Sequence, residues 1–320
     1  MGDQDALRSG DPQRPASVAA LLAALDAHDY LADEPLATAI FLALEMHRPL
    51  LLEGEAGVGK TEVAKTLAAI TGGELIRLQC YEGIDVTQAV YEWDHARQLL
   101  HLRAAEASAR TASLPGDAVG GGASATAALE DELYADRFLI RRALLRAIEP
   151  REGPPPILLI DEIDRADDEF EAFLLEVLSD WSITVPEIGT ICAERPPVVI
   201  VTSNRTRDVH DALKRRCLYH WVDHPGFERE LAIVRRRVPG VSASLAREVA
   251  LAAQSLRGLH LYKPPGVAET IDWATALATL GCATIDPGTL EATLGTVVKY
   301  REDQERVREA GFEALVVERP

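Results

Sequence analysis

A doubly wound α/β domain, with a parallel sheet flanked by helices, followed by a smaller C-terminal helical domain, is the fold that this sequence predicts. Three observations carry the prediction. The runs Leu50-Leu51-Leu52, Ile157-Leu158-Leu159-Ile160 and Val198-Val199-Ile200-Val201 are uniformly apolar, not alternating. That is the pattern of strands buried on both faces, as in a parallel sheet. Segments of helical periodicity separate these runs, the alternation expected of an α/β domain. From about Pro225 strand signals cease, and helical patterns punctuated by Pro239-Gly240 and Pro264-Pro265-Gly266 remain.

In chain order, residues 1–15 are polar and predict a flexible tail. Alanine- and leucine-rich helices are expected over 18–28 and 35–46, the second ending before Arg48-Pro49. A strand ends at Glu53-Gly54. After a glycine-containing turn, Val63, Ala64, Leu67, Ala68 and Ile70 recur at helical spacing. The alternating "ELIRLQC" (74–80) predicts a second strand, and turn signals lead to a helix from about Asp94. Residues 104–130, rich in glycine, alanine and small polar residues, predict a mobile insertion. "RFLIRRALLRAIEP" predicts a helix stopped by Pro150. A strand over 157–164, a helix over 170–180 and a hairpin over 181–191 follow, the hairpin turning at Pro186-Glu187-Ile188-Gly189. Next come a strand over 196–204, a helix over 208–217, and "LYHWVDH" as a last strand or extended link. Helices are expected over 227–237, 242–257, 266–280 and 287–311. The division is therefore an α/β domain over 16–224 and a helical domain over 225–320, with no internal repeat.

The chain has 320 residues, 47% of them hydrophobic, enough for about two domains with full cores. Lysine and arginine total 33 against 51 aspartates and glutamates, a net charge of −18. Such a chain is a poor generic binder of nucleic acid, which needs a basic face. The four cysteines form no C-x-x-C pair and fit isolated thiols in a reducing compartment. No run approaches the length of a membrane span, and the N-terminus carries no apolar signal core. The expectation is a cytoplasmic protein.

The most specific signal is "LLEGEAGVGKTEVAK" (51–65). Gly54, Glu55, Ala56, Gly57, Val58, Gly59, Lys60 and Thr61 have the spacing of a phosphate-binding loop, between a strand and a helix. Glycines let the backbone curl round phosphate oxygens. Exposed N–H groups and the positive end of the helix dipole then face the anion. Lys60 is expected to reach the β- and γ-phosphates of a nucleoside triphosphate, and the Thr61 hydroxyl to hold Mg²⁺. Asp161-Glu162 close a buried strand, and ligands of open parallel sheets collect at the carboxyl ends of strands. Asp161 is expected to position Mg²⁺ and Glu162 to take a proton from, or orient, the attacking water. A plain acidic cluster before a helix is the alternative for this pair. Asn204 ends the next buried strand, where its amide could reach that water. Arg215 and Arg216 offer permanent charge in a rigid fork. From the bare residues, an exposed arginine pair better fits a solvated helix end near its negative pole.

Other signals are weaker. His220 and His224 have zinc-like spacing, but Trp221-Val222 and Pro225 make the segment extended. Arg235-Arg236-Arg237 reads as a solvated helix face. Tyr81, Tyr91 and Trp93 read as core or interface anchors, with a partner surface as the alternative.

Taken together, these motifs resemble the AAA+ ATPase superfamily. GEAGVGKT resembles Walker A, ILLIDEID Walker B, VTSN the sensor-1 strand carrying Asn204, and LKRR the arginine-finger segment. More narrowly, the hairpin WSITVPEIGTI before the sensor strand, and RLQC after the Walker A helix, resemble MoxR-type ATPases. "QCYEGIDVTQAVYEWDHARQLL", "RFLIRR" and "KPPGVAETIDW" resemble the subgroup encoded beside carbon monoxide dehydrogenase and similar molybdenum hydroxylases. The resemblance implies ATP and Mg²⁺ as cofactors and a homo-oligomeric ring, typically a hexamer, in which a finger arginine completes the neighbour's site. It also implies a chaperone role in metalloenzyme maturation, with a von Willebrand factor A domain partner and a client metalloenzyme. Relatives often carry a sensor-2 arginine where this chain has Gly266-Val267-Ala268-Glu269-Thr270; Arg257 and Lys263 are nearby cations. Introducing the charge by Glu269→Arg is expected to tighten nucleotide binding. The competing reading is an ATP-driven nucleic-acid motor or clamp-loader-like ATPase, disfavoured by the acidic charge and the lack of an appended DNA-binding helix pair. A small-molecule kinase and a slow nucleotide-gated adaptor fit less well, because Glu162 and Asn204 suit water activation.

Overall fold

The first apolar run forms β1 (Leu50–Glu53), which lies between β8 (Val198–Ser203) and β9 (Leu218–Trp221) in a five-stranded parallel sheet. The computed structural model describes residues 14–112, 132–311 and 315. The sheet order is β2-β5-β8-β1-β9, with β2 at Leu75–Gln79 and β5 at Ile157–Asp161. Its apolar strands alternate between two cores. Leu51, Leu158, Ile160, Val199 and Val201 face one, while Leu50, Leu52, Ile157, Leu159 and Ile200 face the other. Uniform apolarity therefore reports burial on both faces.

Helices α1 (Val18–Ala27), α2 (Glu34–Met46) and α3 (Lys60–Thr71) cover one face. The other face carries α4 (Val86–Ala89), α6 (Ala143–Ile148), α7 (Asp168–Asp180) and α8 (Asp211–Arg216). Because β5, β8 and β1 are neighbours, their carboxyl ends, Asp161, Ser203 and Glu53, open onto one crevice.

Three expectations need correction. "RFLIRRALLRAIEP" is not one helix. Leu139–Arg141 forms β4, antiparallel to β3 (Tyr91–Trp93), and the helix begins only at Ala143. Phe138 and Leu139 are buried while Ile140 is exposed. Bonds from Arg142 N to Val90 O and from Asp94 N to Phe138 O close the ladder; a partner far away in sequence overrides local propensity. The segment from residue 104 does not start as a loop: α5 runs over His95–Ala112, through alanine-rich sequence that favours helix. Residues 113–131, the rest of that expected insertion, and residues 1–13 of the expected tail lie outside the described residues. Finally, 287–311 is two helices, α12 (Pro287–Val297) and α13 (Arg301–Ala310), parted at extended Val298. Val297 and Val298 are both buried, so the chain bends to put both inward, and Lys299 Nζ donates to the Gly295 and Thr296 carbonyls the break exposes. The expected hairpin is present as β6 (Ser182–Val185) and β7 (Gly189–Cys192).

After β9, helices α9 (Phe227–Arg237), α10 (Ala243–Arg257), α11 (Val267–Thr279), α12 and α13 share a separate apolar cluster built round buried Trp273. Within it, Glu230 is wholly buried and held by Arg257 at 2.6 Å and by the Thr270 hydroxyl at 3.0 Å. Against the α/β part, α9 uses charge. Arg229 pairs with Asp33 at 2.7 Å, Arg236 with Asp26 at 2.8 Å, and Arg237 with Glu62 at 3.4 Å. The basic run at 235–237 is thus only partly a solvated face.

Candidate nucleotide site

The loop between β1 and α3 curls as its glycines allow. Gly57 has φ +80°, and a Cβ there would lie 2.7 Å from Glu269 Oε2 and 3.1 Å from Gly266 Cα. Its carbonyl accepts from Val267 N at 2.9 Å and Ala268 N at 3.3 Å, so the first turn of α11 rests on the loop. At Gly54 a Cβ would lie 2.4 Å from the Val222 carbonyl. Glycine is needed here for close neighbours as well as for curl. Glu55 accepts from or pairs with His224 at 3.1 Å, Ala56 O lies against Gly266, and Val58 packs into the core. Lys60 is 6% exposed, and its Nζ donates to the Gly54 and Glu55 carbonyls at 2.8 and 2.7 Å. Burial pushes the Lys60 ammonium down to about 8, against the upward pull of Asp164, Asp161, Glu162 and Glu55.

At the end of β5, Asp161 is 3% exposed and saturated. Its Oδ1 accepts from Thr61 Oγ1 at 3.1 Å and Thr202 Oγ1 at 2.5 Å. Its Oδ2 accepts from Arg77 Nε at 3.0 Å and Nη2 at 2.6 Å. Glu162 has φ +57°, a left-handed turn that swings it off the strand. Its carboxylate takes Arg165 Nε at 2.8 Å and Asn204 Nδ2 at 3.4 Å. The loop holding Asn204 is pinned by buried Asp164, which accepts from Asn204 N and Thr206 N at 3.1 and 2.9 Å. Asp167 caps α7, while Glu162 stands at the N-cap position of a short 3-10 turn (Ile163–Arg165) without a side-chain capping bond. A hard oxygen pair, Thr61 and Asp161, directly behind a phosphate-binding loop fits Mg²⁺, which takes few protein ligands alongside phosphates and water. Among the described residues no group of three or more His, Cys, Asp or Glu side chains suits a metal ion.

Arg215 and Arg216 are not brought to this crevice. They end α8, whose following strand β9 pairs Leu218 with Leu50, the first residue of β1. The loop follows the last residue of β1, so about 13 Å of strand separates the two ends. Arg48 holds the α8 terminus by donating to the carbonyls of Arg215 and Arg216 at 2.9 and 3.0 Å. Arg216 Nη1 is committed to Leu175 O at 3.1 Å. Arg215 is exposed, and among the described residues its side chain has no hydrogen-bond or ion-pair partner.

A cavity of about 190 Å³ adjoins the loop, lined by Tyr30, Gly59, His220, Arg229, Arg237 and Ile271 among others. Burial raises the Tyr30 phenol well above its ordinary value. The nearby cations singled out around the lid do other work. Arg257 is locked on Glu230, and the Lys263 backbone N–H bonds Asp303. Glu269 caps α11 by accepting from Gly266 N at 3.0 Å. Sequence reasoning gave Arg77, Arg165, Thr202 and Arg229 no part here, and read Arg237 only as a solvated helix face. Arg77 carried one faint signal, as the charged outward position of an alternating strand.

The profile of the family described as AAA domain (dynein-related subfamily) matches residues 49–217, more than half of the chain. Among solved structures, the chain is similar to the RuvB Holliday junction branch migration motor of Thermotoga maritima. The two are 16% identical over 82% of this chain and 66% of that one, with a TM-score of 0.42. A point mutant of RuvB from the same organism matches at 16% identity over 88% and 72% of the two chains, with a TM-score of 0.47. The chain thus spans about two-thirds of the length of the motor it matches. No helix among the described residues is long and apolar enough to cross a membrane.

Proposed function

The chain belongs to the AAA domain family, dynein-related subfamily, and from that premise we propose that it is a Mg²⁺-dependent ATPase whose site is completed between subunits of a ring. The observation that carries this reading is the meeting of the loop, Asp161 and Asn204 at the carboxyl ends of three adjacent strands. Loop N–H groups and Lys60 bind the triphosphate, Lys60 exchanging the Gly54 and Glu55 carbonyls for phosphate oxygens. Thr61 and Asp161 hold Mg²⁺, which when bound neutralises charge developing on the phosphates. Glu162 accepts the proton of the attacking water, and Asn204, bonded to it, keeps that carboxylate aimed. The adenosine end takes the cavity beside Tyr30, where Arg229 and Arg237 bring the helical domain (225–320) against the α/β domain (16–224).

Arg215 serves as the finger in a neighbouring subunit's site. It stands at the opposite end of the sheet from its own loop and has no side-chain partner among the described residues, whereas Arg216 is tied to Leu175. Ring assembly is the general habit of this family. A hexamer, a cytoplasmic setting and a role as a MoxR-type maturation chaperone, acting with a von Willebrand factor A domain protein on a molybdenum hydroxylase or similar client, rest on the sequence phrases. Nothing favours a nucleic-acid motor: the net charge is −18, and Arg236 and Arg237 are engaged with carboxylates.

Mixing supplies the test. Glu162→Gln and Arg215→Ala proteins are each expected to hydrolyse ATP poorly, and mixed rings to regain part of the rate. A monomer that hydrolyses ATP at full speed overturns the reading. Pull-down with the nucleotide-trapped Glu162→Gln ring identifies the client.

A further inference from the structure

We propose that Arg77 competes with the divalent cation for Asp161, so that the chain's own guanidinium sets the Mg²⁺ concentration at which the site takes up its cation. The inference rests on the assignment of Asp161 as the Mg²⁺-positioning carboxylate. Arg77 directs two N–H groups at one oxygen, Oδ2, at 3.0 and 2.6 Å, while Oδ1 is filled by Thr61 and Thr202. No lone pair of Asp161 is left for a hydrated cation until a partner withdraws. Thr202 belongs to the buried interior of β8, and Thr61 is itself the other expected ligand. Arg77 is the partner that can leave.

Its setting allows this. β2 is the edge strand of the sheet, and the Arg77 side chain is 55% exposed, so rotation into solvent unpacks nothing. The contrast is Arg257, whose side chain is 11% exposed and which forks onto a carboxylate with no exposure at all. Gln79 lies two residues on, at the register position paired with Asp161, and its Oε1 accepts from Arg77 Nη2. The guanidinium is therefore steered towards Asp161 by a neutral neighbour and retained there by charge and its hydrogen-bonding fork, without burial. A divalent cation arriving beside it is a like charge a few ångströms away, which disfavours simultaneous occupancy. Arg77 is accordingly a positioning residue: in the resting site it neutralises Asp161 and holds its carboxylate in place, and cation entry displaces it.

The test uses the full chain and reads binding, not turnover. Mn²⁺ binding is followed by electron paramagnetic resonance, and Mg²⁺ is titrated into protein holding a fluorescent ATP analogue. Arg77→Gln is expected to lower the half-saturating cation concentration about three- to tenfold, while cation-free analogue binding changes by less than about twofold. Arg77→Lys, which keeps the charge without the fork, is expected to fall between it and the unaltered chain. Asp161→Asn is expected to raise the midpoint. If Arg77→Gln leaves or raises the midpoint while Asp161→Asn raises it, competition is overturned and the Mg²⁺ assignment stands. If Asp161→Asn leaves the midpoint unmoved, both are overturned.

Discussion

The sheet interior and the seam between sheet and C-terminal helices are held by different forces. Inside, Leu50, Leu51 and Leu52 have no exposure at all, and neighbours from both faces press on them. At the seam, α9 meets the α/β part through four half-exposed arginine–carboxylate pairs, and α11 through two backbone bonds to Gly57. Apolar close packing is short-ranged and intolerant of displacement. Partly exposed ion pairs are worth little singly, weaken with salt and re-form after separation. The difference suits the parts to different work under the proposed function: a close-packed platform beneath the loop and Asp161, and a seam whose contacts break and re-form singly.

The largest expected effect tests the platform's chemistry alone. Glu162→Gln should cut ATP turnover by about 100-fold or more while nucleotide binding survives, the scale of a lost general base. Steady-state hydrolysis set beside equilibrium binding measures it, and unchanged turnover removes Glu162 from the mechanism. Next, Leu51→Ala should destabilise the chain by about 3 kcal/mol through the cavity it leaves. Denaturant unfolding at low and high salt should return the same loss, and a salt-dependent loss would erase the contrast with the seam.

Lys60 lies where the two regions meet and gives a pH test. Its folded-state value, about 8, is below its ordinary 10.5 because burial disfavours the charge. The unfolded chain therefore binds more protons between these values, and stability rises with pH across that window. Lys60→Met should stabilise the nucleotide-free protein at pH 7, with the gain fading as pH rises from about 8 to 10.5. Nucleotide favours the charged amine, so its dissociation constant should climb above about pH 8. A flat profile removes the buried charge. The smallest effect belongs to the seam. Arg229→Ala should cost about 0.5 kcal/mol or less and weaken nucleotide binding slightly, more at low salt than at high. An effect of core size would mean that the seam is not held by exposed charge.

Much of the platform was legible because its signals are local. Glycine spacing at 54–59, unbroken apolarity at 157–160 and Pro186-Glu187-Ile188-Gly189 between two β-like runs each describe conformations set within a few residues. Misreadings fell where a distant partner decides. Leu139-Ile140-Arg141 has helical neighbours on its C-terminal side, yet it pairs with Tyr91–Trp93. The last helix carries an acceptable period throughout, yet bends at Val298 to bury two adjacent valines.

The sequence by itself determined that residues 54–59 form a glycine-bearing turn between a strand and a helix, and that acid and amide side chains stand at the ends of buried strands. Those properties follow from residue type and near spacing. Only the tertiary structure decided that Arg77 meets Asp161 across 84 positions, that Arg165 and Asn204 share Glu162, and that Arg215 stands away from its own loop. A charge in a sequence carries no direction. Strand order and register give it one, by choosing which distant carboxylate lies within reach of each cation.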